Sequence, residues 1–199
     1  MSSVHHRDDV PAGLPKHEFL AGHIALDFCN SMSPMLREGP PDRIADPVDF
    51  VGWAARAGFE VDGSPSPTAL ASLHRLRAAL CRIFVALVEG GDARPDDFAL
   101  LNAELAKARA AERLVAASDG YAVEDGAHDP IDRLRHAIVR DAAALVTGER
   151  RRLKRCPAHD CQWLFYDGSK NLSRRWCAMD DCGTLEKVRR YRGRATSDR

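Results

Sequence analysis

Four cysteines near the end of the chain fall in two pairs of equal spacing, Cys156-Pro-Ala-His-Asp-Cys161 and Cys177-Ala-Met-Asp-Asp-Cys182, a C-x4-C-x15-C-x4-C pattern. The segment around them, residues 152–195, is too short to hold itself together by apolar burial alone, so whatever it folds into needs a staple. Four thiolates suit a tetrahedral Zn2+ site, which takes soft ligands and no fifth partner. Structural zinc contributes on the order of 10–16 kcal/mol in finger peptides, far more than the core of so small a module. Paired disulfides are the rival reading. His159, inside the first knuckle, is an alternative ligand but reads as a solvated side chain.

Compartment bears on that choice. Residues 1–13 have no apolar core and read as a frayed tail without a signal peptide. The longest apolar stretch, Ala78 to Val88, is interrupted by Arg82 and is too short for a bilayer. The expectation is a cytoplasmic protein with no membrane partner, where thiols stay reduced and metal is favoured over disulfide. Cys29 and Cys81 stand in apolar settings and read as buried structural thiols.

Formal net charge is zero over the 199 residues, but it is unevenly distributed. Residues 150–199 carry 14 Lys and Arg against 6 Asp and Glu, a balance of +8; the remainder carries 15 against 23, a balance of −8. Such asymmetry points to a polyanion partner for the basic end, or to attraction between the two parts within the fold or in a homodimer.

Residues 14–149 read as a mostly helical domain. Asp46-Pro47, Ser66-Pro67, Pro95 and Asp129-Pro130 are start signals, with proline at a first helical position where a missing N–H costs nothing. Leu70, Leu73, Leu76, Leu80, Ile83, Phe84 and Leu87 recur at three and four, which makes the helix ending at Gly90-Gly91 the centre of the core. Two short apolar runs around Asp119-Gly120 predict a hairpin. The segment Gly22-His-Ile-Ala-Leu-Asp-Phe-Cys-Asn30 fits a strand or a helix equally well. Asp27 and Asn30 are polar groups in that apolar stretch. They either satisfy nearby backbone or, with Trp53, line a pocket for a small-molecule effector. A Gly-rich phosphate loop, a nucleophile elbow and an HExxH pair are all missing from the sequence, and four cysteine ligands leave no open metal position, so no enzyme is expected.

In residues 152–195, Gln162-Trp-Leu-Phe-Tyr-Asp167 reads as a strand and Arg174-Arg-Trp-Cys177 as its return. Thr184 is expected to cap a final helix whose Leu185, Val188 and Tyr191 pack on the hairpin aromatics. Knuckle, hairpin and helix make a treble-clef-like zinc finger, so the fold expected is mainly α with short β-hairpins. Arg174, Arg175, Lys187, Arg189, Arg190, Arg192 and Arg194 are the candidates for laying guanidinium and ammonium groups along a nucleic-acid backbone, DNA above all. The other reading is a protein-interaction or small-ligand-binding module whose zinc is structural.

The run Cys156-x4-Cys161-Gln-Trp-Leu-Phe-Tyr-Asp, with Ser173-Arg-Arg-Trp-Cys177-Ala-Met-x2-Cys182-Gly183 and Lys187-x-Arg189-Arg190-Tyr191-Arg192, resembles the CGNR-type zinc finger. Gly22-His-Ile-Ala-Leu-Asp27-Phe-Cys-Asn30 with Trp53 is similar to the signature of the ABATE domain that precedes that finger. The resemblance implies a bacterial stress-related transcription regulator. Where the family shows asparagine then arginine after Cys182-Gly183, this chain has Thr184 and Leu185. Leu185 cannot donate to a phosphate or a base edge, which shifts any such contact onto Arg189, Arg190 and Arg192.

Overall fold

The structure, a computed structural model, describes residues 19–32, 42–158 and 161–197; the side chains at 190 and 192–197 lie outside this description. The tail read over 1–13, the domain start at 14 and His159 also lie outside it.

Five helices build the first part: α1 (Ile24–Asn30), α2 (Pro47–Arg56), α3 (Pro67–Glu89), α4 (Pro95–Ala110) and α5 (Pro130–Thr147). All but α1 begin on a proline. The Asp46 carboxylate accepts from the N–H groups of Val48 and Asp49 at 2.8 and 2.9 Å, Ser66 Oγ from Ala69 at 3.2 Å, and Asp129 from Ile131 at 2.8 Å. These caps fill donors that no intrahelical carbonyl can reach. At the far end of α3, Gly90 takes the left-handed conformation, φ +84°, and lets Gly91 N–H close on Ala86 O at 2.9 Å.

The ambiguous segment is the helix α1. Ala25, Leu26 and Phe28 are buried, and all pack into one core with Phe50, Trp53, Leu73, Leu80, Ile83 and Phe84, and with Leu134, Ile138 and Val139 of α5. A short apolar stretch goes helical here because it is enclosed on every side, which removes the one-sided pattern that would identify its period. Arg77 is buried beside this core; its two terminal nitrogens make a bidentate pair to Asp42, 2.6 Å on each arm, and one also donates to Ser31 Oγ at 2.9 Å, while Nε stays buried without a partner among the described residues.

Strands β1 (Glu112–Ala117) and β2 (Gly120–Asp125) pair antiparallel with Leu114 opposite Val123 and Ala117 opposite Gly120. The turn therefore sits on Ser118-Asp119, one residue before the expected place, and Gly120 at φ +113° begins β2. At the base of the hairpin, Asp125 binds His136 Nδ1 at 2.9 Å and Arg140 at 2.6 Å. Its outer half is exposed, Tyr121 by 83%.

The second hairpin differs from the expectation. β3 (Leu153–Arg155) pairs with β4 (Leu164–Tyr166), Leu153 opposite Tyr166 and Arg155 opposite Leu164. The partner of the aromatic strand thus precedes the first knuckle, and Arg174–Cys177 is no strand. The reason is polar: loop 167–174 is laced by its own side chains, as described below. A π turn, Met179–Gly183, leads into α6 (Thr184–Ser197). Thr184 does not cap it; its Oγ1 donates to Met179 O at 3.1 Å. Leu185, Val188 and Tyr191 do not pack on the hairpin aromatics but stand exposed. Among the described residues, no helix is long and apolar enough to cross a membrane.

The two parts share a core. Leu153 and Leu164 belong to the same apolar cluster as the helices. Tyr166 N–H donates to Ala21 O at 2.8 Å, and the His23 ring meets Tyr166 edge-on at 4.6 Å.

Candidate metal centre

β3 runs straight into Cys156, and the first knuckle bridges the end of the hairpin back to β4. Cys156 N–H donates to Trp163 O at 2.8 Å, and Cys161 N–H to Ala158 O at 3.0 Å, which turns both side chains to the same side. Cys177 follows the polar loop, and Cys182 sits in the π turn. Gly183 is closely approached there by two side chains. A Cβ at that position would stand 2.5 Å from Met179 Sδ and 3.0 Å from Trp176 Cδ1.

The four Sγ atoms are buried and lie within 4.8 Å of one another. Cys161 and Cys177 are separated by 3.6 Å, Cys177 and Cys182 by 3.5 Å. A tetrahedron with Zn–S bonds of about 2.3 Å has sulfur–sulfur edges of about 3.8 Å, so the cluster fits the ion. A disulfide needs about 2.05 Å, and all six cysteines are free thiols. Hydrogen bonds between the crowded sulfurs drive their acidities apart, Cys156 downward and Cys177 and Cys182 upward. A divalent cation resolves that conflict by holding all four as thiolates.

Around the cluster, charge-assisted bonds replace apolar packing. Asp167 is fully buried and accepts from Lys154 Nζ at 2.6 Å, from Ser169 N–H at 2.9 Å and Oγ at 2.6 Å, and from Arg174 N–H at 2.9 Å. Burial works against its ionisation, but Lys154 and Ser169 outweigh it and hold the carboxyl well below the usual range. Lys154 Nζ also donates to the carbonyls of Leu172 at 2.7 Å and Arg174 at 3.0 Å.

Of the residues expected to meet nucleic acid, Arg174 is turned inward. Its guanidinium donates to the carbonyls of Trp176 (3.2 Å), Tyr166 (3.1 Å), Leu20 (2.8 Å) and Cys177 (2.6 Å), and lies 4.7 Å over the Phe165 ring. At least four of its five N–H donors are thereby engaged, so it braces the cysteine cluster against the helical part. Arg175 is exposed and lies 4.9 Å over the Trp176 ring. Lys187 and Arg189 are exposed on α6, Arg189 bonded to Glu186 at 2.9 Å. Arg190, Arg192 and Arg194 lie on the same helix, their side chains outside the described residues.

Asp27, Asn30 and Trp53 are occupied by the protein itself. Asn30 clamps the backbone of Leu164 from both sides, Nδ2 to its carbonyl at 2.8 Å and Oδ1 from its N–H at 3.0 Å. The Asp27 carboxylate accepts from Ala21 N–H at 3.0 Å, and burial, only partly opposed by that bond, pushes its pKa up to about 7. Trp53 packs between Phe19 and Phe28, each at 5.6 Å. None of the three lines the groove beside the finger or the smaller one at the first knuckle. Sequence reasoning passed over Arg150, Arg151 and Arg155, which share a groove beside the finger; the signal was the run Arg150-Arg-Arg-Leu-Lys-Arg155.

Comparison with known families agrees with this geometry. The ABATE family, whose description reads "Putative stress-induced transcription regulator", matches residues 22–149, and the CGNR zinc finger matches residues 152–195. No match was found among curated proteins. The ABATE match spans more than half of the chain, and the chain belongs to that family, with a four-cysteine zinc finger, and hence Zn2+, at its C-terminal side.

Proposed function

We propose that this member of the ABATE family is a DNA-binding transcription regulator acting in the cytoplasm. Residues 14–149 form its helical domain and 152–195 its finger. Cys156, Cys161, Cys177 and Cys182 supply the thiolates that hold Zn2+. The metal's role is structural: it fixes the π turn from which α6 projects. Arg175, Lys187, Arg189, Arg190, Arg192 and Arg194 meet the phosphate backbone, and Arg174 serves them by bracing the fold. The observation that carries this reading is the concentration of +8 in residues 150–199, the stretch that holds the four-cysteine cluster.

Anisotropy of a labelled duplex, titrated with zinc-loaded protein, tests it. About five neutralised phosphates predict a fall in affinity on the order of a hundredfold or more between 50 and 200 mM salt. No affinity for any duplex at 50 mM would remove the proposal. The exposed apolar stripe Leu185, Val188 and Tyr191 favours a second reading, contact with protein, including a second copy of this chain. Sedimentation at increasing concentration separates the two.

A further inference from the structure

A groove of about 660 Å3 runs between the C-terminal end of α3, the segment Arg150–Arg155 and the loop 172–175 of the finger. Its walls carry Arg150, Arg151, Lys154, Arg155, Arg174 and Arg175. No carboxylate lines it among the described residues. Three acids outside it answer part of this charge: Asp167 binds Lys154 at 2.6 Å, Glu89 binds Arg155 at 2.7 Å, and Glu149 is shared between Arg151 at 2.7 Å and Arg152 at 2.6 Å. Arg150 instead donates to two carbonyls, Leu87 O at 2.6 Å and Gly91 O at 3.1 Å, and Arg175 lies on the Trp176 ring. The groove is therefore net cationic.

Apolar side chains share the lining: Leu87, Val88, Leu153, Pro157 and Leu172 contribute to it. Leu172 is held at φ +52°, a left-handed conformation that leucine rarely adopts and that costs on the order of 1 kcal/mol or more. Lys154, through its bond to the Leu172 carbonyl, maintains that conformation at the groove wall. A phosphodiester backbone has no use for the apolar part of this lining, whereas an organic anion with an apolar body uses both the apolar and the cationic side chains. The volume is that of a small-molecule site.

We propose that this groove binds a small organic anion, an aromatic or otherwise apolar molecule bearing a phosphate group, and that it is the effector site of the protein. It lies off α6, and Arg175 is the residue it shares with the proposed nucleic-acid surface. A ligand seated there touches the end of α3 and the finger loop at once, so its binding energy ties the helical part to the finger. The groove is lined by none of Asp27, Asn30 and Trp53, the residues expected from sequence to meet an effector.

Isothermal titration of the zinc-loaded full chain tests the proposal with three probes: 1-naphthyl phosphate, inorganic phosphate and 1-naphthol. The expected result is one molecule of 1-naphthyl phosphate per chain, bound at least tenfold more tightly than either fragment. Arg151→Glu with Arg175→Glu, both exposed, should weaken it at least tenfold without moving the melting temperature, and Tyr121→Ser on the distant hairpin should leave it unchanged. Equal binding of all three probes, or 1-naphthyl phosphate affinity unaltered by the double charge reversal, overturns the assignment. So does a duplex that binds through Arg151 and Arg175 while 1-naphthyl phosphate does not bind at all. A chain that takes 1-naphthyl phosphate but no duplex refutes DNA binding and leaves the groove standing.

Discussion

The helical part and the finger are ordered by different forces. In the helices, fully buried side chains such as Leu73, Leu80, Ile83, Phe84 and Ile138 interlock across α3 and α5, and the hydrophobic effect suffices. The finger has its own cluster of seven buried residues, four of them the clustered cysteines; beside these stand only Ala158, Trp163 and Phe165. What it lacks in apolar area it replaces with an ion and with the Asp167–Lys154–Arg174 lacework. The two strategies meet at Leu153 and Leu164, which belong to finger strands but to the helical core. Stability should therefore pass between the parts unequally: the finger depends on the helices more than the helices depend on the finger.

Removing zinc should have the largest effect. Chelation, or Cys177→Ser, takes away on the order of 10 kcal/mol and should abolish amide protection throughout residues 153–183. The helices should keep a cooperative transition at reduced temperature, because Leu153 and Leu164 leave their core. Hydrogen exchange with mass spectrometry reads both, and an unshifted helical transition would show that the shared core is energetically idle. Phe84→Ala runs the other way. It should cost about 3–5 kcal/mol in denaturant melts and lower the midpoint of both parts together.

Asn30→Ala strips the clamp from Leu164 and leaves a buried N–H and a buried carbonyl unsatisfied, a loss of about 2–4 kcal/mol. Exchange at β4 should rise before exchange in α3; simultaneous release would mean that the clamp is not the seam between the parts.

The seam was only partly visible in the sequence. Asp46-Pro47, Ser66-Pro67 and Asp129-Pro130 declare helix starts locally, because a cap and a fixed φ are properties of adjacent residues. The cysteine spacing likewise announces a shared ion. Asn30 and Arg174 could not be read this way: their partners, Leu164 and Leu20, lie 134 and 154 residues away. An arginine spent on backbone carbonyls looks in sequence like one offered to phosphate. The apolar stripe of α6 misleads for a related reason, since periodicity reports amphipathicity and not what covers the face.

Asp27 gives a pH-dependent effect, comparable to the loss of the Asn30 clamp across its full range and small over any one pH unit. Its carboxyl rises from 3.8 to about 7 in the fold, so the folded protein holds this proton more tightly than the unfolded chain. Its contribution is complete below about pH 4 and is lost as pH climbs toward 7, at up to about 1.4 kcal/mol per pH unit. Asp27→Asn, which keeps the acceptor for Ala21 N–H, should flatten that slope in melts between pH 4.5 and 7.5; an unchanged slope contradicts the burial argument.

Arg175→Gln should change stability least. It should lower the salt slope of duplex binding by about one phosphate and leave zinc content intact. Arg174→Gln should lose zinc retention and duplex binding together. If both behave alike, the division between a bracing and a contacting arginine is wrong.

X-ray absorption at the zinc edge of the purified full chain tests the central claim most directly. Four sulfur scatterers at about 2.3 Å, with no nitrogen or oxygen in the first shell, are the predicted result. A shell containing lighter atoms, or protein that folds fully while holding no zinc, would contradict it.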